Sequence, residues 1–372
     1  MHAPHHHSTL PESEEPGIAE DAGAEPQLSF VTCVPRTMVH KSAVSEVFIT
    51  DAARTGEHRF AVAAQWPRDH VFFRPGTDGS GDPLLWIETV RQAGIYLSHR
   101  FYGIPHSHPF VLSDTAFEVD EPRPVHSSEV PLETTLDITF QVGSADPRRF
   151  VAALEAVISV GGRPRGSVTM HWRALDPERY ARIRRRAASE AGHVTGPRTA
   201  RVPMPPEVVG RRFERDMLLT EAPGGADGWQ LRLDMSHPVL FDHVSDHIPG
   251  MALIEAFRQA GALVGMRRSL SVLPPRAWTL RSGSLSFRTF GELDTPTAIT
   301  MTTERQLGLN GNESILRASA TQGGRTLAEA TLCGLHVPAA PPARTATGTI
   351  PFTRARHRGD RSPALAQSGG GA

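Results

Sequence analysis

A seven-residue pattern, Glu-x-x-Arg-Gln-Ala-Gly, occurs twice in this chain, at Glu88, Arg91, Gln92, Ala93 and Gly94 and again at Glu255, Arg258, Gln259, Ala260 and Gly261. Each copy lies in an otherwise apolar stretch with helical periodicity, and each follows an Asp-His pair, Asp69-His70 in the first half and Asp242-His243 in the second. A repeat spaced by 167 residues in a chain of 372 points to two similar domains, each large enough to bury its own core. Charged groups inside an apolar helix are costly unless they are paired or used. Their duplication therefore calls for a structural or chemical reason.

The same order of elements surrounds both copies. In the first half, strands are expected at residues 43–50, 60–66, 110–119, 134–142 and 166–172, which are short, rich in β-branched or aromatic residues and bounded by turn formers. A helix is expected from Asp82-Pro83 to Tyr96, with Pro83 in its first turn. The second half repeats the order, with strands at 213–221 and 229–234, a helix from Pro249 to Met266, and strands at 278–290, 298–304 and 314–335. Two strands, one long helix and three or more strands make an α+β unit with an antiparallel sheet. The expected boundaries are a tail at 1–27, a first domain at 28–175, a linker at 176–206, a second domain at 207–338 and a tail at 339–372. The tails are polar and poor in aromatic residues, as disordered segments are. In the linker, the run Arg182-Ile183-Arg184-Arg185-Arg186 reads as a solvated helix, because it lacks the interleaved aromatics of a nucleic-acid surface.

Composition excludes several classes of function. With 39 basic and 40 acidic residues the chain has no overall pull toward nucleic acid or a membrane surface. Two cysteines, Cys33 and Cys333, build neither a disulfide framework nor a Cys-x-x-Cys metal site. There is no apolar run of about 18 residues, as a membrane helix requires, and no secretory signal pattern at the N-terminus. These features together read as a cytoplasmic protein. Of the 39 basic residues, all but Lys41 are arginine, the usage of a GC-rich genome.

The second half carries the densest group of polar residues, His237-Pro238-Val239-Leu240-Phe241-Asp242-His243-Val244-Ser245-Asp246-His247-Ile248-Pro249-Gly250-Met251, with Glu255 four residues on. This text resembles the hot-dog fold of acyl-carrier-protein dehydratases, in which a His-containing loop, a Pro-Gly at a helix start and a Glu-x-x-x-Gln in that helix surround an acyl thioester. The matching positions are His243, Pro249-Gly250, and Glu255 with Gln259. The arginine inside the helix motif departs from that pattern. With the tandem arrangement, and with Val39-His40-Lys41, Gln65-Trp66-Pro67-Arg68-Asp69-His70 and Tyr102-Gly103-Ile104-Pro105, the chain more closely resembles the A-factor biosynthesis family, the γ-butyrolactone autoregulator synthases. That resemblance spans residues 30 to 338. It implies two tandem hot-dog units forming an intrachain pseudo-dimer. It also implies transfer of a β-ketoacyl group from acyl carrier protein to a hydroxyl of dihydroxyacetone phosphate, with no metal or redox cofactor for that step.

Acyl transfer to an alcohol needs a base, an oxyanion donor and, for this acceptor, a phosphate anchor. Glu88 or Glu255, desolvated in an apolar helix, is expected to have a raised pKa and to serve as the base. His70 and His243 are further catalytic candidates. Arg91 and Arg258 offer planar forks to phosphate, Gln92 and Gln259, one residue on, are further substrate-binding candidates, and the Gly250 and Met251 N–H groups would open a helix toward the thioester carbonyl. Other readings remain. Glu and Arg three apart on a helix also form a purely structural ion pair, and the histidines serve equally well as loop caps. His243 and His247 do not share a helical face if the helix begins after Pro249, so no metal is expected. Dimeric hot-dog enzymes suggest crossed sites, His70 with Glu255 and His243 with Glu88. The longer 71–81 loop after His70 leaves room for one of these to have degenerated. A functional motif would turn Glu88, Arg91, Glu255 and Arg258 into one shared cleft. A carrier-protein dehydratase or thioesterase, or an acyl binder without catalysis, are the competing functions.

Overall fold

Pro83 opens the first long helix, α1 (Pro83–Tyr102), and the Asp82 carboxylate caps it by accepting the Leu84 N–H at 3.0 Å. Gly103 ends it at φ 65°, a left-handed conformation open to glycine. The computed structural model describes residues 27–74, 81–120, 130–146, 148–191, 204–222, 228–269, 276–307 and 312–338, and the two expected tails lie outside these but for residue 27. The remaining elements are β1 (Ile49–Gly56), β2 (Arg59–Trp66), β3 (Phe110–Val119), β4 (Leu132–Asp146), β5 (Arg149–Val160), β6 (Arg163–Leu175), α2 (Pro177–Ala191), β7 (Leu219–Glu221), β8 (Gly228–Leu231), α3 (Gly250–Ser269), β9 (Arg276–Phe287), β10 (Ala298–Leu307), β11 (Glu313–Gln322) and β12 (Arg325–Pro338).

The twelve strands among the described residues form one antiparallel sheet in the order β1-β2-β4-β5-β6-β3-β9-β12-β11-β10-β8-β7. The order reads the same from both ends once each first-half strand is matched to its second-half counterpart. The two halves meet where β3 pairs with β9, Asp114 opposite Ser286 and Glu118 opposite Ser282. This is the expected α+β pseudo-dimer of two hot-dog units, each wrapping its sheet around a long helix. Strand alternation supplies the inner face, as in β5, where Phe150, Leu154 and Ile158 are buried and Glu155 and Val157 exposed. No helix among the described residues is long and apolar enough to cross a membrane.

Several elements differ from the sequence reading. Strand β5 was not expected, because its Ala-Leu-Glu content favours helix and its period-two burial emerges only against β4 and β6. The stretch 314–335 is a hairpin of two strands, turned at Gly323 and Gly324 with φ 56° and 78°. The stretches 43–50 and 213–221 each begin with a 3-10 turn, Val44–Glu46 and Glu214–Asp216, and join the sheet only at Ile49 and Leu219. A glutamine on the neighbouring helix takes the place of a strand there. Gln92 accepts the Phe48 N–H and donates to the Glu46 carbonyl, and Gln259 does the same for Leu218 and Asp216. The linker is indeed helical, as α2, but it is not simply solvated. Arg184 is buried, bonded to Asp246 and to both oxygens of Glu292.

The glycine of each repeat lets a tryptophan from the sheet approach its helix. A methyl group at Gly94 would lie 3.2 Å from the Trp172 ring, and one at Gly261 would lie 2.5 Å from the Trp278 ring. Gly261→Ala is therefore expected to destabilise the fold by about 1–3 kcal/mol through overpacking. Gly94→Ala, relieved by the better helix propensity of alanine, should fall within about 1 kcal/mol of the wild type. Denaturant midpoints of the two variants check the contrast.

Candidate active site

Each long helix carries a glutamate with almost no solvent exposure, and the same kind of assembly surrounds both. Glu88 accepts from Arg91 Nε and Nη2, both at 2.8 Å, and from Gln92 Nε2 at 3.0 Å, and the Lys41 ammonium stands 3.0 Å from its Oε1. Glu255 accepts from Arg258 Nε and Nη2 at 2.8 Å, from Gln259 Nε2 at 2.7 Å, and from Arg211 Nε and Nη2 at 2.7 and 2.6 Å. Lys41 and Arg211 occupy matching places. Each follows a left-handed residue, His40 at φ 54° or Gly210 at φ 71°, and each closes a 3-10 turn with its backbone N–H.

This clustering reverses the expected titration of the glutamates. Burial alone would raise both pKa values, but the Arg91 and Lys41 charges hold Glu88 well below the usual carboxylate range. Against the same burial, Arg211 and Arg258 lower Glu255 to about 2. A carboxylate bound this firmly is a weak proton acceptor, so neither glutamate suits the role of general base. Gln92 and Gln259 are fully buried and bonded to backbone and to their glutamates, which makes them braces of the fold rather than ligands for substrate.

The histidines divide differently from their sequence neighbours. His70 is buried, its Nδ1 accepts the Phe72 and Phe73 N–H groups, and its Nε2 faces Glu46 at 3.4 Å. His237 repeats this pattern, accepting from Val239 and Leu240 and facing Asp216 at 3.1 Å. The structural counterpart of His70 is thus His237 and not His243, and both fix loops. His70 does not meet Glu255 in a site. Two accepting contacts leave Nδ1 bare, which puts the proton on Nε2, toward the carboxylate.

His243 is placed otherwise. Its loop crosses to the first half, where Asp242 accepts the Ser42 and Ala43 N–H groups at 2.7 and 3.0 Å. The imidazole, half exposed, stands 3.7 Å from that carboxylate, close enough for charge but too far for a hydrogen bond. Desolvation first, then Arg91 and Lys41, lower its pKa, and Asp242 only partly opposes them. His243 is consequently neutral near pH 7.

Around these groups lies a cavity of about 480 Å³, within the range that holds small ligands. Lys41, Glu88 and Arg91 line it from the first half, and His243, Gly250 and Met251 from the second. Gly250 and Met251 open α3, where backbone N–H groups lack helical acceptors. Arg91 is the sole residue between Pro83 and His99 of α1 that is not buried, which marks where the cavity reaches the helix. The α2 helix, absent from the sequence reading as part of any site, forms one wall through Ile183, Arg186 and Ala187. Arg173, Arg186 and Arg288 join Lys41 and Arg91 to give five cationic side chains against the two carboxylates Glu88 and Glu190. A smaller apolar recess, bounded by Ile95, Met170 and Trp172, shares Arg91, Phe110 and Leu112 with this cavity.

The four charged repeat residues therefore do not share one cleft. Glu88 and Arg91 line the cavity, whereas Glu255 is buried and Arg258 is committed to Glu255 and the Val209 carbonyl. At the second assembly, Arg211 reaches on across the junction to Asp82 at 2.9 Å and to the Phe72 carbonyl. His243 and Glu88, from opposite halves, line the same cavity. Its mirror image is filled by a guanidinium. Lys41 enters the sequence reading only as a compositional mark and within the family-like Val39-His40-Lys41, with no part in the site, and its uniqueness among 39 basic residues was the available signal.

Glu255→Gln should destabilise the chain by about 3–5 kcal/mol at pH 7, the cost typical of a broken buried ion pair. Because the folded pKa is depressed, this contribution is complete above the unfolded carboxylate range and is lost as pH falls toward about 2. The stability difference between wild type and variant is thus expected to shrink below about pH 4.5. Urea unfolding at several pH values measures it.

Comparison with known proteins adds an independent finding. Residues 23–176 and 194–338 each match the A-factor biosynthesis hotdog domain. A protein of Streptomyces virginiae named 2-oxo-3-(phosphooxy)propyl 3-oxoalkanoate synthase is 37% identical over 268 residues, covering 72% of this chain and 86% of that protein. Proteins of the same name from Streptomyces coelicolor and Streptomyces griseus are 31% and 32% identical, covering 85% and 80% of this chain and 95% and 94% of their own lengths.

Proposed function

The chain belongs to the A-factor biosynthesis hotdog family, and from that premise we propose that it transfers a 3-oxoacyl group from acyl carrier protein to the hydroxyl of dihydroxyacetone phosphate. The product is a 2-oxo-3-(phosphooxy)propyl 3-oxoalkanoate, the compound that the relatives are named for making. The observation that carries this reading is the cavity itself, where a neutral histidine, a helix N-terminus and an excess of cationic side chains converge from both halves. We take the compartment to be the cytoplasm, in accord with the free thiols of Cys33 and Cys333.

His243 is the general base in this scheme. It accepts the proton of the acceptor hydroxyl as that oxygen attacks the thioester carbonyl, and the Gly250 and Met251 N–H groups stabilise the developing oxyanion. That attack forms the ester carbon–oxygen bond, and collapse of the oxyanion restores the carbonyl and breaks the carbon–sulfur bond. The proton on His243 then passes to the departing carrier-protein thiolate. Glu88 remains ionised and orients Lys41 and Arg91. Arg91 gives two of its three nitrogens to Glu88 and keeps Nη1 for an anion, so its contact with phosphate is a single bond rather than the expected fork. The end of the acyl chain fits the recess at Ile95, Met170 and Trp172.

The direct test mixes the pure protein with 3-oxoacyl carrier protein and dihydroxyacetone phosphate and follows free carrier-protein thiol. Release that depends on the acceptor is expected. Release without acceptor would identify a thioesterase, and no release would sink the transferase reading. His243→Ala should lower kcat by roughly 10²–10⁴-fold, the usual contribution of a positioned base. Its titration sets a second expectation. A base with a lowered pKa stays active further into acid, so kcat/KM should fall only as pH drops below 6.5, the ordinary histidine value, and this limb should vanish in the variant.

A further inference from the structure

The two glutamate assemblies differ chiefly in the cation that reaches them, lysine in one and arginine in the other. Arg211 bonds both oxygens of Glu255 and continues to Asp82 and the Phe72 carbonyl, leaving its cleft filled. Asp82 directly precedes α1, and the residue directly preceding α3 is Pro249, which has no carboxylate to offer. Phe72 and Val239 also correspond, because each donates its N–H to the Nδ1 of its loop histidine, His70 or His237.

Lys41 thus stands where a longer, forked side chain would span the cleft. Its ammonium has three N–H donors, and among the described residues Glu88 is its one polar partner, at 3.0 Å. The side chain is only 4% exposed, so donors not taken by Glu88 point to the cavity or stay unmet, and an unmet buried donor on a charged group is costly. Arg91, on the same cavity wall, shares Glu88 with Lys41, so one carboxylate faces two cations and a positive charge is left to attract a further anion.

We propose that Lys41 binds the phosphate of the acceptor, and that lysine stands here because an arginine would reach across to the Val239 carbonyl and close the cleft, as Arg211 closes its counterpart. This rests on the acceptor assigned above. The charge requirement alone would accept either cation, and every other basic residue of the chain is arginine. A compact point charge on a four-carbon stem neutralises Glu88 and leaves space beside it, which a planar fork of five donors does not.

Lys41→Met and Lys41→Arg are compared with the full-length wild type by calorimetric titration with dihydroxyacetone phosphate, and with dihydroxyacetone as the control without phosphate. The wild type should prefer the phosphorylated ligand. Each variant should lose about tenfold or more in affinity for it, the size of a hydrogen-bonded charge contact, while dihydroxyacetone binding stays as in the wild type. Wild-type affinity for dihydroxyacetone phosphate in either variant overturns the inference. So does an equal loss for both ligands, the mark of a merely structural lysine. A wild type that shows no preference for the phosphorylated ligand overturns the proposed acceptor itself, and the inference with it.

Discussion

A carboxylate buried in the middle of each long helix must be neutralised, and its own helix supplies only one cation, three residues on. The second cation comes from the chain just ahead of each half's first strand, Lys41 for Glu88 and Arg211 for Glu255. That segment cannot run as a plain strand, because its cation has to turn inward. It folds instead through two 3-10 turns, and the repeat glutamine holds the end of the second, at the Glu46 carbonyl and the Phe48 N–H. Glu, Arg and Gln of the repeat are thus one device that pins an irregular segment to a helix. The glycine serves a separate need, the approach of a tryptophan from the sheet.

The same device accounts for the difference between the two junctions. Where the second cation is arginine, it crosses from Glu255 to Asp82 and Phe72 of the other half and becomes a clamp between units. Where it is lysine, it stops at Glu88, and the cross-connection falls instead to Asp242, which holds the Ser42 and Ala43 backbone from the side. Both junctions are therefore tied by charge-assisted hydrogen bonds, which are stronger than neutral ones. In the first the tie runs through the space a ligand would use, and in the second it runs beside it.

Much of this was legible in the sequence. The doubled motif announced two equivalent helices, the strand order around them gave an antiparallel α+β unit, and the family resemblance implied the pseudo-dimer. The pairing of His243 with Glu88 was suggested by analogy with dimeric hot-dog enzymes, and the two line one cavity. What failed was the equation of Asp69-His70 with Asp242-His243, because adjacency in sequence is a poorer guide than the hydrogen bonds a residue makes. His70 and His237 share a role through the N–H groups two and three residues on, a relation that the text of the chain does not display. The direction of the glutamate pKa shifts was also misread. Desolvation was visible in the apolar helix, but the second cation lies 47 residues from Glu88 and 44 from Glu255, and only the fold brings it near. The wall formed by α2 was hidden likewise, since an arginine run looks solvated until Asp246 and Glu292 are seen to face it.

Charge also decides which group can act as a base. Two cations hold Glu88 ionised, and their field reaches the imidazole of His243, where it adds to desolvation in disfavouring the protonated form. The ion cluster that makes the glutamate too weak a base thus keeps the neighbouring histidine free to be one. It also leaves the cavity positive, suited to an anionic acceptor. A site built this way cannot be tuned one residue at a time, because removing Glu88 would unbrace the fold and expose two uncompensated cations together. The lysine is the exception. Glu88 would still be met by Arg91 and Gln92 in its absence, so position 41 can change with less effect on the fold than the cluster's other members. Duplication permits this division, one junction closed by a long cation for cohesion and the other held open by a short one for chemistry.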